Sequence, residues 1–297
     1  MERVSWDWIL TGLDEALAFC RELGLDEHLE GSRFQEHRAC LAEMVGALKA
    51  GGQEAARDFF DANRLRSFTA LTESAELVES LPFAKTVPHE VIIPKLTEVL
   101  KGPVLPTTEN ANTNQARNIL FELTLAAKLW RAGLSPELGE HPDVRCSVDG
   151  RPVHIECKRP FSRLGARRAY TRALKQILTG LKDAPTGSRG IVALSITRLI
   201  NTGHLVFMHE NEAHGKEVLG KAMENLARTM TITWPHPPPE IIGLLWHVVT
   251  PGFDRSQPLL VMVQQMKVQP TGPPGSPDEL LLKTVFSTLR QMWVRPR

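Results

Sequence analysis

Residues 144–158 read VRCSVDGRPVHIECK, and the Asp149-Gly150 pair at the centre constrains the fold more than any other stretch of the chain. A two-residue type I′ turn needs positive φ at both central positions, and Asp-Gly supplies it, so the flanks are predicted to pair as antiparallel strands. Successive side chains in a strand point to opposite faces. Val144, Cys146 and Val148 therefore share one face and Asp143, Arg145 and Ser147 the other. On the return strand Val153, Ile155 and Cys157 are apolar, while His154, Glu156 and Lys158 are not. Each strand is expected to have one core face and one polar face.

The turn also fixes the register. With Val148 opposite Arg151, the ladder counts back to set Asp143 opposite Glu156, Cβ atoms about 4.5–5.5 Å apart on one face. Like charges so placed destabilise a sheet, so a positive group belongs between them. Hard oxygen ligands from one or two carboxylates are how Mg²⁺ is usually held. Lys158 lies on the same face, about 6–7 Å further along the strand. Two acids, a metal and a lysine can bind a phosphate, orient a water and help remove its proton.

Around this hairpin the chain divides by character. Up to about Lys101 the apolar residues recur at three- and four-residue spacing, as in DEALAFCRELGL and EHRACLAEMVGALKAGG, with Gly51-Gly52 a helix stop and Pro82, Pro88 and Pro94 as further punctuation. Trp6 and Trp8 are expected in its core. The segment KGPVLPTTENANTN, residues 101–114, is poor in large apolar residues and reads as a boundary. We expect a helical N-terminal domain over residues 1–104 and an α/β domain over 114–270. A tail with a short amphipathic helix near Leu280 to Met292 is expected over 271–297. The second domain runs helix (from Gln115), hairpin, basic helix (about Ser162 to Lys182), strand (GIVALSIT), helix (near Glu212 to Arg228), then strands IIGLLWHVVT and PLLVMVQQMKV. That order predicts a mixed central sheet flanked by helices.

Several function classes are excluded by composition. No apolar run approaches the roughly 18–20 residues of a membrane helix, and the start lacks a signal-peptide pattern, so a cytoplasmic protein with no membrane partner is expected. Cys20, Cys40, Cys146 and Cys157 form no CxxC pair and are read as free, mostly buried thiols. His204, His209 and His214 match no zinc spacing, and His141 and His154, which flank the hairpin site, read as polar strand residues. A formal net charge of +1 means that a nucleic-acid surface must be a local patch. One such patch follows the hairpin: Arg159, Arg163, Arg167, Arg168, Arg172 and Lys175, with no acid among them, are candidates to grip a phosphate backbone. Glu122 emerges from the apolar stripe formed by Ile119, Leu125, Ala126 and Leu129. A buried acid needs a partner, and a metal would supply one.

Asp143 after Pro142, followed by Glu156-Cys157-Lys158, resembles the PD-(D/E)XK nuclease superfamily. The resemblance implies a restriction-endonuclease-like fold over roughly residues 114–268. It implies that Asp143, Glu156 and the Cys157 backbone carbonyl hold Mg²⁺ (or Mn²⁺), with Lys158 positioning or activating a water. Glu122 and Gln176 stand where several members carry a Glu on the preceding helix and a Gln on the following one, which would give Glu122 a second ion or a water to orient and make Gln176 part of the catalytic set. The expected function is a metal-dependent endonuclease that hydrolyses phosphodiester bonds, in DNA rather than RNA because most of the superfamily acts on DNA. Restriction or defence is the expected setting, by analogy alone. A homodimer is an expectation for an enzyme that cuts both strands. The competing readings are a non-catalytic nucleic-acid-binding module of the same fold, acting with a protein partner, and a structural metal site beside functional N-terminal helices.

Overall fold

The computed structural model describes residues 6–109, 113–202, 207–255 and 259–291. Among the described residues, ten α-helices and seven strands follow in the order α1 (Trp6–Glu22), α2 (Asp26–Leu29), α3 (Arg33–Ala62), α4 (Arg64–Ala84), α5 (His89–Leu100), α6 (Gln115–Arg131), β1 (Glu137–Leu138), β2 (Val144–Val148), β3 (Arg151–Lys158), α7 (Arg163–Leu181), β4 (Arg189–Ser195), α8 (Thr197–Ile200), β5 (Phe207–His209), α9 (Glu212–Thr231), β6 (Ile241–Asp254), β7 (Leu259–Pro270) and α10 (Pro277–Gln291). The strands form a mixed sheet ordered β1-β2-β3-β4-β6-β5, with β7 also paired to β6. The β1, β2 and β3 pairings are antiparallel, whereas β3/β4, β4/β6 and β5/β6 are parallel. No described helix is long and apolar enough to cross a membrane.

The chain clusters into two compact units. The first comprises Met1–Thr124, Asn201–Gly215 and Val249–Val263, and the second Leu125–Ile200, Lys216–Val248 and Gln264–Arg297. In the first, α1, α3 and α4 pack together around Ile9, Leu13, Leu17, Phe34, Leu41, Met44 and Leu71, all nearly inaccessible. Gly51-Gly52 does interrupt the helix, since Gly52 has φ 70° and ψ −160°, but α3 resumes beyond it to Ala62. Of the prolines expected as punctuation, Pro88 is the N-cap of α5, whereas Pro82 sits in the last turn of α4 and Pro94 lies within α5. Trp6 and Trp8 are half-buried rather than in the core.

The second unit is built on β3, β4 and the first part of β6, whose Ile155, Ile191, Val192, Ala193, Leu194 and Leu245 are fully buried. Helix α7 packs on β3 and β4 through its stripe of Ala166, Tyr170, Ala173 and Ile177, and Tyr170 stacks on Trp234 with ring centroids 4.6 Å apart. Asp278 of α10 accepts hydrogen bonds from Arg151 and Arg189, each at 2.9 Å, which fixes the C-terminal helix to the starts of β3 and β4. The strand reading needs one correction. β2 alternates buried and exposed as expected, but β3 is buried on both faces from Val153 to Cys157. It is an interior strand, flanked by β2 and β4, so its polar residues are held inside the protein. The last residue of the expected tail helix, Met292, and His204 of the histidine group lie outside the described residues.

Candidate functional site

The turn that fixes the site forms as expected. Asp149 and Gly150 have φ of 50° and 75°, and the ladder pairs Val148 with Arg151 and Val144 with Ile155. The same register carried one step further sets Asp143, just before β2, across from Glu156. Asp143 does not continue the ladder with its backbone; instead its carboxylate Oδ2 accepts the Cys157 N–H at 2.7 Å. That bond aims the carboxylate at the face carrying Glu156 and Lys158.

The positive group between the two acids is Lys158 itself. Its ammonium donates to Glu156 Oε1 at 2.5 Å and lies 3.5 Å from Asp143 Oδ2. The side chain folds back rather than standing further along the strand. A buried carboxylate and a half-buried one attract an ammonium more strongly than the strand direction constrains it. Burial alone would lower the Lys158 pKa, but the charges of Asp143 and Glu156 overcome it and raise the value. Lys158 is therefore a firm cation. Glu156 is moved the other way: burial, then the charge of Asp143, push its carboxyl up to about 7 against the opposing pull of Lys158. Its second oxygen, Oε2, is buried and meets no hydrogen-bond donor among the described residues; only a protonated Glu156 can hydrogen-bond the neighbouring Asp143 carboxylate, and the residue as a whole is 0% exposed.

An unpartnered, fully buried carboxylate oxygen is costly unless a cation or donor meets it. Hard, acidic oxygen donors beside that orphan atom fit a divalent cation. Among the described residues, the metal-competent group at this site adds a member: His141, Asp143 and Glu156 each offer a ligand atom, all within 4.8 Å of one another. His141 was read from sequence as a polar strand residue, yet it belongs to the loop before β2. Its Nδ1 is 3.9 Å from Glu156 Oε1 and 3.0 Å from Gln176 Nε2. Gln176 thus joins the site through His141. The family resemblance, which places a Gln on the helix after the hairpin, was the signal available in the sequence.

Gly180 brings α7 against this loop. A Cβ at that position would come within 2.7 Å of Pro142 Cδ and 3.0 Å of the His141 carbonyl oxygen. Gly180→Ala is expected to push His141 and Pro142 outward, misplace the Asp143 carboxylate and cost about 1–3 kcal/mol of stability. Urea denaturation checks this, and a cost below about 0.5 kcal/mol would refute the close fit.

The other expected residues have these surroundings. Glu122 is buried as anticipated, but its carboxylate is ion-paired with Lys95 of α5 inside the first unit, so the partner expected of a metal is a lysine. Cys157 contributes its N–H to Asp143, and its thiol is buried. Arg159 is a correction to the cationic patch. It is 7% exposed and donates to Ser195 Oγ at 3.3 Å, because alternation turns it to the face opposite Lys158. Arg163, Arg167, Arg168, Arg172 and Lys175 are all exposed along α7, which carries no acid. The four cysteines are buried and none forms a disulfide, and burial pushes the Cys146 thiol up to about 12, which makes it a poor nucleophile.

No family model, curated protein or solved structure matches this chain.

Proposed function

We propose that this protein is a metal-dependent phosphodiesterase of the PD-(D/E)XK nuclease kind, acting on nucleic acid and on DNA in preference to RNA. The observation that carries the reading is the buried Oε2 of Glu156, which meets no hydrogen-bond donor among the described residues, in a carboxylate beside Asp143 whose other oxygen, Oε1, takes the Lys158 ammonium at 2.5 Å. Asp143 and Glu156 would hold Mg²⁺ or Mn²⁺, with the Cys157 carbonyl as the third oxygen that the family resemblance implies. A divalent ion there supplies Lewis acidity, which neutralises charge developing on a phosphate and makes water a better nucleophile near neutral pH.

The protein's own groups then have defined tasks. Asp143 is aimed by the Cys157 N–H, so its carboxylate is preorganised before substrate arrives. Lys158, held as the ammonium, is suited to contact a phosphate oxygen and orient the attacking water; its raised pKa argues against it as the base. The cations of α7 from Arg163 to Lys175 form a surface suited to a phosphate backbone. If all five were engaged, log Kd would change with log salt with a slope of roughly 4–5 on duplex DNA.

Lys158→Ala is expected to lower cleavage by roughly 100-fold or more while sparing the fold. The assay incubates wild type, Lys158→Ala and Glu156→Ala with supercoiled plasmid, linear duplex, single-stranded DNA and RNA, in Mg²⁺, Mn²⁺ or EDTA. Metal-dependent cutting by wild type alone supports the assignment, and equal activity in the Lys158 variant refutes it. DNA binding that persists in EDTA and in Glu156→Ala, with no cleavage of any substrate, would instead identify a binding module that uses the exposed face of α7.

A further inference from the structure

His141 is more than half exposed at its side chain, yet it is held at the metal-competent group by two contacts from different elements. Its Nδ1 is 3.9 Å from Glu156 Oε1 of β3, and Gln176 Nε2 of α7 is 3.0 Å from Nδ1 and 3.4 Å from Nε2. Two buried oxygens at this site have no partner, Oε2 of Glu156 and Oε1 of Gln176. Lys158 satisfies Glu156 Oε1 and leaves Oε2 for another positive group.

The Gln176 amide bears on how the imidazole is used. Amide nitrogen and oxygen are nearly alike in shape, and the hydrogen-bond network decides between them. With nitrogen toward His141, the amide oxygen is buried without a donor. A half-turn of the amide would set the oxygen against the imidazole, within reach of the Nε2–H, and leave Nδ1, the ring nitrogen that faces Glu156, with a free lone pair. A metal-ligating histidine is held in this way, one nitrogen on the ion and the other donating to an oxygen behind it.

Resting on the nuclease reading above, we propose that His141 is a third side-chain ligand of the metal centre, oriented by Gln176, and that it tilts the centre toward Mn²⁺ and away from Mg²⁺. Mg²⁺ is hard and keeps to oxygen ligands and water. Imidazole suits the transition ions, and Mn²⁺ accepts carboxylate and imidazole together. One nitrogen beside two carboxylates therefore favours Mn²⁺, whereas the carboxylates without it would discriminate little. Gln176 is a positioning residue in this scheme, since it acts through His141.

Calorimetric titration of the full chain with Mn²⁺ and with Mg²⁺, joined to pulsed electron paramagnetic resonance of the bound Mn²⁺, tests the assignment. Wild type is expected to bind Mn²⁺ about tenfold or more tightly than Mg²⁺ and to show nitrogen coupling on the Mn²⁺ echo. His141→Ala should lose the coupling and about 10- to 100-fold in Mn²⁺ affinity, with less than about threefold change for Mg²⁺. Gln176→Ala should weaken Mn²⁺ binding while the nitrogen coupling persists. The resonance measurement on wild type needs no variant, and unfolding in EDTA checks that the variants fold. Mn²⁺ binding without nitrogen coupling, unchanged in His141→Ala but lost in Glu156→Gln, would overturn the histidine ligand and leave the nuclease reading standing. Binding of neither ion by wild type would overturn both.

Discussion

Glu156→Gln is expected to make the protein more stable at pH 8 while removing its proposed activity. Folded Glu156 keeps its proton up to about pH 7, whereas an unfolded glutamate releases it near the ordinary value of 4.5. Between those values the folded state binds more protons, so the contribution of Glu156 to stability is full below about pH 4.5 and is lost as pH rises through about 7. A shift of that size corresponds to about 3 kcal/mol at pH 8. Glutamine resembles the protonated acid and does not titrate. Wild type and variant should therefore agree within about 1 kcal/mol at pH 5 and separate by about 3 kcal/mol at pH 8. Urea denaturation in EDTA at the two pH values measures the difference. Mn²⁺ at 100 times its Kd should restore about 2.7 kcal/mol to wild type at pH 8 and little to the variant. A variant no more stable than wild type at pH 8 would show that the carboxylate is not strained by its burial. Groups whose charge is unfavourable in the fold and favourable with a ligand are a mark of functional sites.

That strain could be anticipated from the sequence only in part. Period-two alternation and one Asp-Gly turn were enough to set Asp143 against Glu156, because register in a hairpin is fixed by the turn. The same alternation applied one residue further would have turned Arg159 inward; reading residues 159–175 as a single basic run concealed that the strand continues up to the start of the run. His141 was harder to place. It belongs to a loop, where no periodicity operates, and it reaches the site because Gly180 lets α7 close on Pro142. Glu122 was correctly read as buried, but its partner Lys95 is 27 residues away on another helix, a pairing that amphipathicity does not encode. β1 and β5, of two and three residues, are too short to carry any pattern.

The helical unit holds a charged core that periodicity did not reveal, and Glu73→Gln is expected to cost about 3–5 kcal/mol there. Helix α4 is buried on nearly all sides, polar residues included, so its sequence shows no clean stripe. Glu73, 4% exposed, accepts a hydrogen bond from Arg117 Nε and lies 3.4 Å from both Arg33 and His37. Arg117 also donates to Glu109 at 2.8 Å and to the carbonyls of Pro103 and Val104 at 3.0 and 3.1 Å. One guanidinium thereby ties α4 to the segment that precedes α6. Burial works to raise the Glu73 pKa, but Arg117, Arg33 and His37 reverse it and hold the carboxyl well below its ordinary range. Neutralising it would leave two buried guanidinium groups undercompensated. Replacing Glu73 and Arg117 together by leucine should cost less than the sum of the single changes, since each single change strands the other charge.

Acid should act on this cluster with the sign opposite to that at Glu156. The depressed pKa of Glu73 makes its contribution full above about pH 4.5 and lost as pH falls below it, and His37, whose pKa burial lowers, adds a loss as pH falls below 6.5. Hydrogen exchange followed by mass spectrometry separates the two effects. Protection in peptides from 64–84 should weaken from pH 7 toward pH 4 after correction for intrinsic rates, while protection in 151–158 should strengthen. Parallel changes in both would mean that one titration dominates the chain, and a Glu73→Gln cost under about 1 kcal/mol would mean that the charged cluster does not hold the helices together.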